Sequence, residues 1–145
     1  MGADLEGAVC RGIDRAARPA QWGVDDCALW VAGILEDAFG YDAAEQWRTG
    51  YSDRAGADAS LGALGLAGAL RRVAKERGWE RIDADQAITC DVGLVMLPAL
   101  VEGEVTMRAT TVICRAPGWF MARSVRGIAA WPVEAVKPRL CWRVR

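Results

Sequence analysis

The segment Asp26-Cys27-Ala28-Leu29-Trp30-Val31-Ala32-Gly33-Ile34-Leu35-Glu36-Asp37-Ala38-Phe39-Gly40 constrains this chain more than any other. Asp25 or Asp26 supplies an acidic N-cap, and Gly40 supplies a stop. Between them Ala28, Leu29, Val31, Ala32, Ile34, Leu35 and Ala38 leave little polar circumference. A helix apolar on most sides must be surrounded. It is therefore expected at the centre of the molecule, with every other element packed around it.

The remaining elements follow from local signals. Asp4 caps a first helix with Leu5, Val9 and Ile13 on one face and Ala16 following, ended by Pro19. Residues 41–59 read as a short helical turn and a loop. A third helix is expected from Asp58 or Ser60 to Gly78, with Leu61, Leu64, Leu70, Val73 and Ala74 inward. Gly62, Gly65 and Gly68 weaken it by ~1 kcal/mol each relative to alanine. Beyond Gly78 the period changes. Val92–Leu97 is a short β run closed by Pro98, and Val105–Cys114 is β-branched and alternating. Pro117-Gly118 marks a turn before a return strand from Trp119, and Leu140–Val144 alternates to the end. Helices first and antiparallel strands second imply an α+β domain.

At 145 residues, with 52% hydrophobic and 26% charged side chains, the chain suits one soluble domain spanning 1–145. No apolar run approaches the ~18 residues a membrane span needs. The stretch from Met1 to Glu6 lacks the basic start and apolar core of a leader. The protein is thus expected in a cytosol-like compartment or inside a particle. Cys10, Cys27, Cys90, Cys114 and Cys141 are odd in number and widely spaced, with no C-x-x-C pair. All but Cys27 read as reduced, buried thiols. No metal site and no cofactor are expected. Residues 1–107 hold 10 basic and 18 acidic side chains, whereas 108–145 hold 8 basic and 1 acidic. That asymmetry suggests oriented docking on a charged partner, or simply a solvated strand face with alternating arginines. No nucleic-acid motif accompanies the basic residues, so no specific nucleic-acid binding is expected.

The chemistry-bearing position is Cys27, in the first turn of the apolar helix. A thiol so placed is the usual arrangement of a cysteine nucleophile, which an imidazole normally activates. The chain contains no histidine. Trp22-Gly23, Asp26-Cys27, the apolar helix to Gly40, Tyr41-Asp42 and Arg48-Thr49-Gly50-Tyr51 together resemble a group of small phage-encoded NlpC-like proteins. Cys90-Asp91-Val92 is similar to that group's Gly-Asp-Val strand start, and Cys141-Trp142-Arg143-Val144 to its closing Trp-Arg-Val strand. The resemblance runs from about Arg18 to Val144. It implies a papain-like, NlpC-type fold: N-terminal helices on a small antiparallel sheet or half-barrel. It further implies a peptidoglycan endopeptidase ancestry and a place in a phage tail tip.

By that resemblance Cys27 is the nucleophile, and the missing histidine belongs near Met107–Thr111. None of those residues is a neutral-pH base. A helix N-terminus lowers a thiol pKa into the range of ~3.5–7.5, usually with a cation's help, but Asp25 and Asp26 oppose the thiolate. General acid–base catalysis is worth ~10²–10⁴-fold, and arginine at 108 stabilises charge without shuttling protons. Cys27 is therefore expected to be a vestigial or weak nucleophile. Asp91 is a candidate orienting or catalytic group, and Trp22, Asp26 and Arg108 are candidate substrate contacts. Each has a plainer reading: Asp26 as N-cap, Trp22 and Trp30 as packing, Asp91 as a strand-edge turn residue. The seven tryptophans exceed what such a core can cover, so some are expected to face a partner.

Three functions compete. One is a tail-tip or baseplate component, assembled into a virion with other tail proteins and with its chemistry lost. The second is an active cell-wall endopeptidase in which Cys27 works with Asp91 or with a residue of another subunit. The third is a thiol-based redox or cluster-binding protein.

Overall fold

The structure, a computed structural model, describes residues 3–145. Met1 and Gly2, part of the stretch read for a leader, lie outside the described residues. No helix is long and apolar enough to cross a membrane, among the described residues.

Helix α1 spans Leu5–Arg15, with Asp4 accepting from the Gly7 N–H at 3.0 Å. Helix α2 spans Cys27–Phe39, between the Asp26 cap and a left-handed Gly40. A 3-10 turn, Glu45–Trp47, follows. The expected third helix is two: α3, Arg54–Leu61, capped by Asp53, and α4, Gly65–Arg77. The glycines that weaken the segment break it, since Gly62 and Gly65 both take positive φ. The strands are β1 Glu80–Arg81, β2 Val92–Val101, β3 Glu104–Ala116, β4 Trp119–Ser124, β5 Gly127–Pro132 and β6 Leu140–Arg143, with a one-turn helix α5 at Val133–Val136. They form one sheet in the order β1-β6-β2-β3-β4-β5, every pairing antiparallel. The α+β expectation holds.

Pro98 does not close β2. The strand runs on to Val101 because β6 pairs only with Val92, Gly93 and Leu94. At Pro98 one side of β2 has no neighbour to receive an N–H, so proline is tolerated there. The outer halves of β2 and β3 consequently pair only with each other, from Val95↔Thr110 out to Val101↔Glu104. They form a two-stranded ribbon beyond the sheet.

Helix α2 lies across β3 and β4 and against α1. Its buried face is Leu29, Trp30, Val31, Ala32, Ile34 and Leu35. It meets Val92, Leu94, Ile113 and Met121 from one face of the sheet. Burying each large aliphatic chain is worth roughly 1.5–3 kcal/mol. Leu29, Val31, Ile34 and Leu35 together thus match the ~5–15 kcal/mol net stability of a whole domain. The opposite sheet face buries a second cluster, including Val95, Val112, Cys114 and Phe120, under Ile82, Val133 and Val136.

Two charge expectations change in three dimensions. Cys10 is exposed, not buried, because it sits on the outer side of α1; Cys90, Cys114 and Cys141 are buried as expected. The charge asymmetry along the chain is partly closed by ion pairs. Arg108, Arg115, Arg123, Arg143 and Arg145 pair with Asp58, Glu6, Asp25, Asp91 and Glu80 respectively. The basic C-terminal segment closes onto the acidic first part, which weakens the case for charge-steered docking.

Candidate active site: the Cys27 cleft

The turn before α2 sets the thiol's position. The Asp26 carboxylate is buried and accepts three hydrogen bonds: from Gly23 N–H at 2.9 Å, Leu29 N–H at 3.3 Å and the Tyr51 hydroxyl at 2.7 Å. Gly23 has φ +81, and a Cβ there would fall 2.0 Å from the Tyr51 carbonyl oxygen. Only glycine lets these two backbones meet. Arg48 braces the same region: its guanidinium is bidentate to Asp42, at 2.5 and 3.1 Å, and reaches the carbonyls of Val24 and Leu29. Gly23, Asp26, Asp42, Arg48 and Tyr51 thus converge on one helix N-terminus. Their common work is to hold it.

Across the cleft stands β3. The backbone N–H groups of Thr111 and Ala28 act on the Cys27 thiol in the direction that favours a thiolate. Cys27 keeps some exposure as a residue, yet its thiol is pushed up from the ordinary value. Burial is the largest cause, and Asp26 adds to it; the two N–H groups and Arg108 act the other way without prevailing. At neutral pH the group is a thiol. Tyr51 is also pushed up, by burial first and then by its bond to Asp26, so its proton stays on the phenol. Asp26, Tyr51 and Arg108 are the groups whose charge or hydroxyl acts on the sulfur.

The cleft itself holds about 780 Å³. Cys27, Trp22, Asp26 and Arg108 all line it, so four of the five predicted site residues come together. Trp22 is 37% exposed at its rim, with the Arg54 guanidinium 5.8 Å from its ring centre. Arg108 pairs with Asp58 at 2.6 Å. Asp91 does not join them. Its carboxylate accepts from Arg143 Nε at 2.8 Å, Val144 N–H at 3.3 Å and Ile88 N–H at 2.9 Å. It fastens the end of the chain to the start of β2, because a buried carboxylate needs its acceptors filled. Trp30 packs inside, its Nε1 donating to the Gly12 carbonyl at 2.9 Å.

Sequence reasoning missed Arg123 in β4. Its side chain is fully buried and donates to the carbonyls of Ala16, Arg18, Ser124 and Gly127, with Asp25 at 3.3 Å. It pins the loop that leads into α2. No local signal marks it, since its partners lie far away in the chain. No group of three or more His, Cys, Asp or Glu side chains is arranged to hold a metal ion, among the described residues.

Fold and site define a class: an α+β domain whose central helix opens with a cysteine facing an antiparallel sheet across a cleft, in a chain without histidine. The chain belongs to DUF6950, a domain of unknown function, whose match covers residues 5–144. No curated protein and no solved structure matches the chain.

Proposed function

We propose that this domain is a non-hydrolytic module of papain-like, NlpC-type architecture that serves as a structural component of a phage tail tip or baseplate. One observation carries the loss of chemistry. The chain has no histidine to take the Cys27 proton, and burial pushes the pKa of that thiol up rather than down. A protonated thiol without a proton acceptor attacks acyl carbons poorly.

The projecting β2–β3 ribbon supports the docking role. Leu100 and Val105 at its tip are 69% and 71% exposed, and Met107 is also exposed. A free two-stranded ribbon is marginal in water, and exposed apolar side chains on unpaired edges suit a protein partner. Assembly with other tail proteins inside a virion follows from the resemblance and from this ribbon.

The second reading, an active peptidoglycan endopeptidase, is favoured by the open cleft beside Cys27. A turbidity assay on purified cell walls separates the two. Wild type and Cys27→Ala should both leave the walls intact. Clearing by wild type that the Cys27→Ala variant loses would overturn the non-hydrolytic reading. For the docking role, Leu100→Asp with Val105→Asp should leave the melting temperature in place and abolish incorporation into particles.

A further inference from the structure

Two buried side-chain polar atoms have no hydrogen-bond partner among the described residues: Thr111 Oγ1 and Arg123 Nε. Both residues line the Cys27 cleft. This coincidence is informative, because leaving a buried polar group unsatisfied is costly and native proteins keep few of them.

The two residues occupy corresponding levels of adjacent strands. Ile113 pairs with Met121 and Cys114 with Phe120. Continuing that antiparallel register sets Thr111 opposite Arg123, on the side shared by Ile113 and Met121 and covered by α2. The β3–β4 ladder stops before reaching them. The β3–β4 ladder is open at this level, and Thr111, Ala28 and Arg123 all line the cleft there beside Cys27. The Thr111 N–H and hydroxyl, the Ala28 N–H and Arg123 Nε are all donors; only the hydroxyl can also accept. A rotation about χ1 of Thr111, one staggered step, re-aims its hydroxyl.

Away from this end the cleft is apolar. It extends between the sheet and α3 and α4 past Leu61, Leu66, Leu70 and Val73. Its volume of about 780 Å³ lies within the range of roughly 300–1,000 Å³ typical of small-molecule sites. Along this aliphatic stretch a peptide would bring an N–H and a C=O at every residue that Leu61, Leu66, Leu70 and Val73 cannot pair; the polar lining residues include Tyr51, Arg54, Asp58 and Arg108. A hydrocarbon chain needs no such pairing.

We propose that the cleft binds a fatty acyl chain, its tail under α3 and α4 and its carbonyl oxygen received by Thr111 and Arg123. The acyl group comes either as a free acid or as an ester. This goes beyond the structural role above and does not depend on it. Cell-wall clearing tests that role, whereas acyl binding is read from the cleft alone.

Tryptophan reports the site directly, since Trp22, Trp47, Trp79 and Trp131 line the cleft. The full-length protein is titrated, below micelle-forming concentrations, with 9,10-dibromostearic acid, its methyl ester and a brominated alkane of equal length. The acid or the ester, or both, should quench tryptophan fluorescence saturably near one equivalent, with displacement by unbrominated stearate. The acid arm reports a free fatty acid and the ester arm an esterified lipid. The alkane should bind about 3- to 10-fold more weakly, as expected for loss of a hydrogen bond. Thr111→Val, checked for folding by circular dichroism, should bring the carbonyl ligands down to the alkane's affinity. Ala69→Trp, which fills the cleft, should abolish binding. Three results would each overturn the proposal: no saturable quenching, an alkane that binds wild type as tightly as the acid and the ester, or quenching that survives Ala69→Trp. The alkane comparison uses wild type alone, so it stands even if a variant fails to fold.

Discussion

Replacing Asp26 by alanine tests the reading that the cysteine turn is an architectural knot. The carboxylate accepts at 2.9, 3.3 and 2.7 Å from Gly23, Leu29 and Tyr51. Hydrogen bonds to a charged group contribute about 1.5–3 kcal/mol each, and loss of an N-cap alone costs about 0.5–2 kcal/mol. The three do not add fully, because water in the adjoining cleft can reach part of the vacated space. A loss of about 3–5 kcal/mol is expected, a large share of a domain's ~5–15 kcal/mol. For a chain of 145 residues each kcal/mol is worth about 2–4 °C, so the melting temperature should fall by about 6–20 °C. Asp26→Asn keeps an acceptor for the Leu29 N–H and caps as well as aspartate does, so it should cost only about 1 kcal/mol. It also removes a charge that raises the Cys27 pKa, so iodoacetamide should alkylate Cys27 faster at pH 8 than in wild type. Urea melts followed by tryptophan fluorescence, with peptide mapping of the alkylated thiol, give both readouts. An alanine variant within about 1 kcal/mol of wild type, or an asparagine variant as damaged as alanine, would refute the reasoning.

Other expectations follow from the same geometry. Gly23→Ala forces a side chain into positive φ against the Tyr51 carbonyl and should cost at least ~2–3 kcal/mol, read as a lowered urea midpoint. Arg123→Met leaves four carbonyls and Asp25 without their donor and should cost about 3–5 kcal/mol, with faster tryptic cleavage after Arg15. Cys90, Cys114 and Cys141 are pushed up to about 12 by burial, with Asp91 next. Their folded values exceed the unfolded ~8.5, so the unfolded chain loses these protons first. Stability should be level below pH ~8.5 and then fall with rising pH through the window up to about 12. Urea melts at pH 7.5, 9 and 10 should show it, and Cys114→Ala should flatten the slope by up to one proton's worth.

The local parts of this fold are legible in the sequence because their causes are local. Asp26 and Gly40 bound α2 by capping and by a left-handed stop, each decided within four residues. The α1 cap at Asp4 and the Pro117-Gly118 turn are of the same kind. Errors arise where a neighbour decides. Whether Pro98 ends β2 depends on how far β6 extends beside it, which no window of sequence contains. The split of α3 from α4 shows glycine overriding a helical period that the apolar residues alone suggest. The short strands β1 and β5 escaped notice because two residues, or a Gly-Ala run, carry no alternation to read.

The site divides along the same line. Sequence alone determined that an apolar helix opening with Cys27 must be central, and that no imidazole exists to serve it. Both are matters of composition and spacing, fixed before the chain folds. Only tertiary structure decided that Thr111 and Arg123 would line the same cleft as that thiol, each with one unpartnered buried atom, and that Asp91 would serve the end of the chain instead. It also decided that the late arginines would close on the early acids. Pairings between residues 50 to 110 positions apart are set by sheet register and burial, and those are properties of the assembled core rather than of any segment within it.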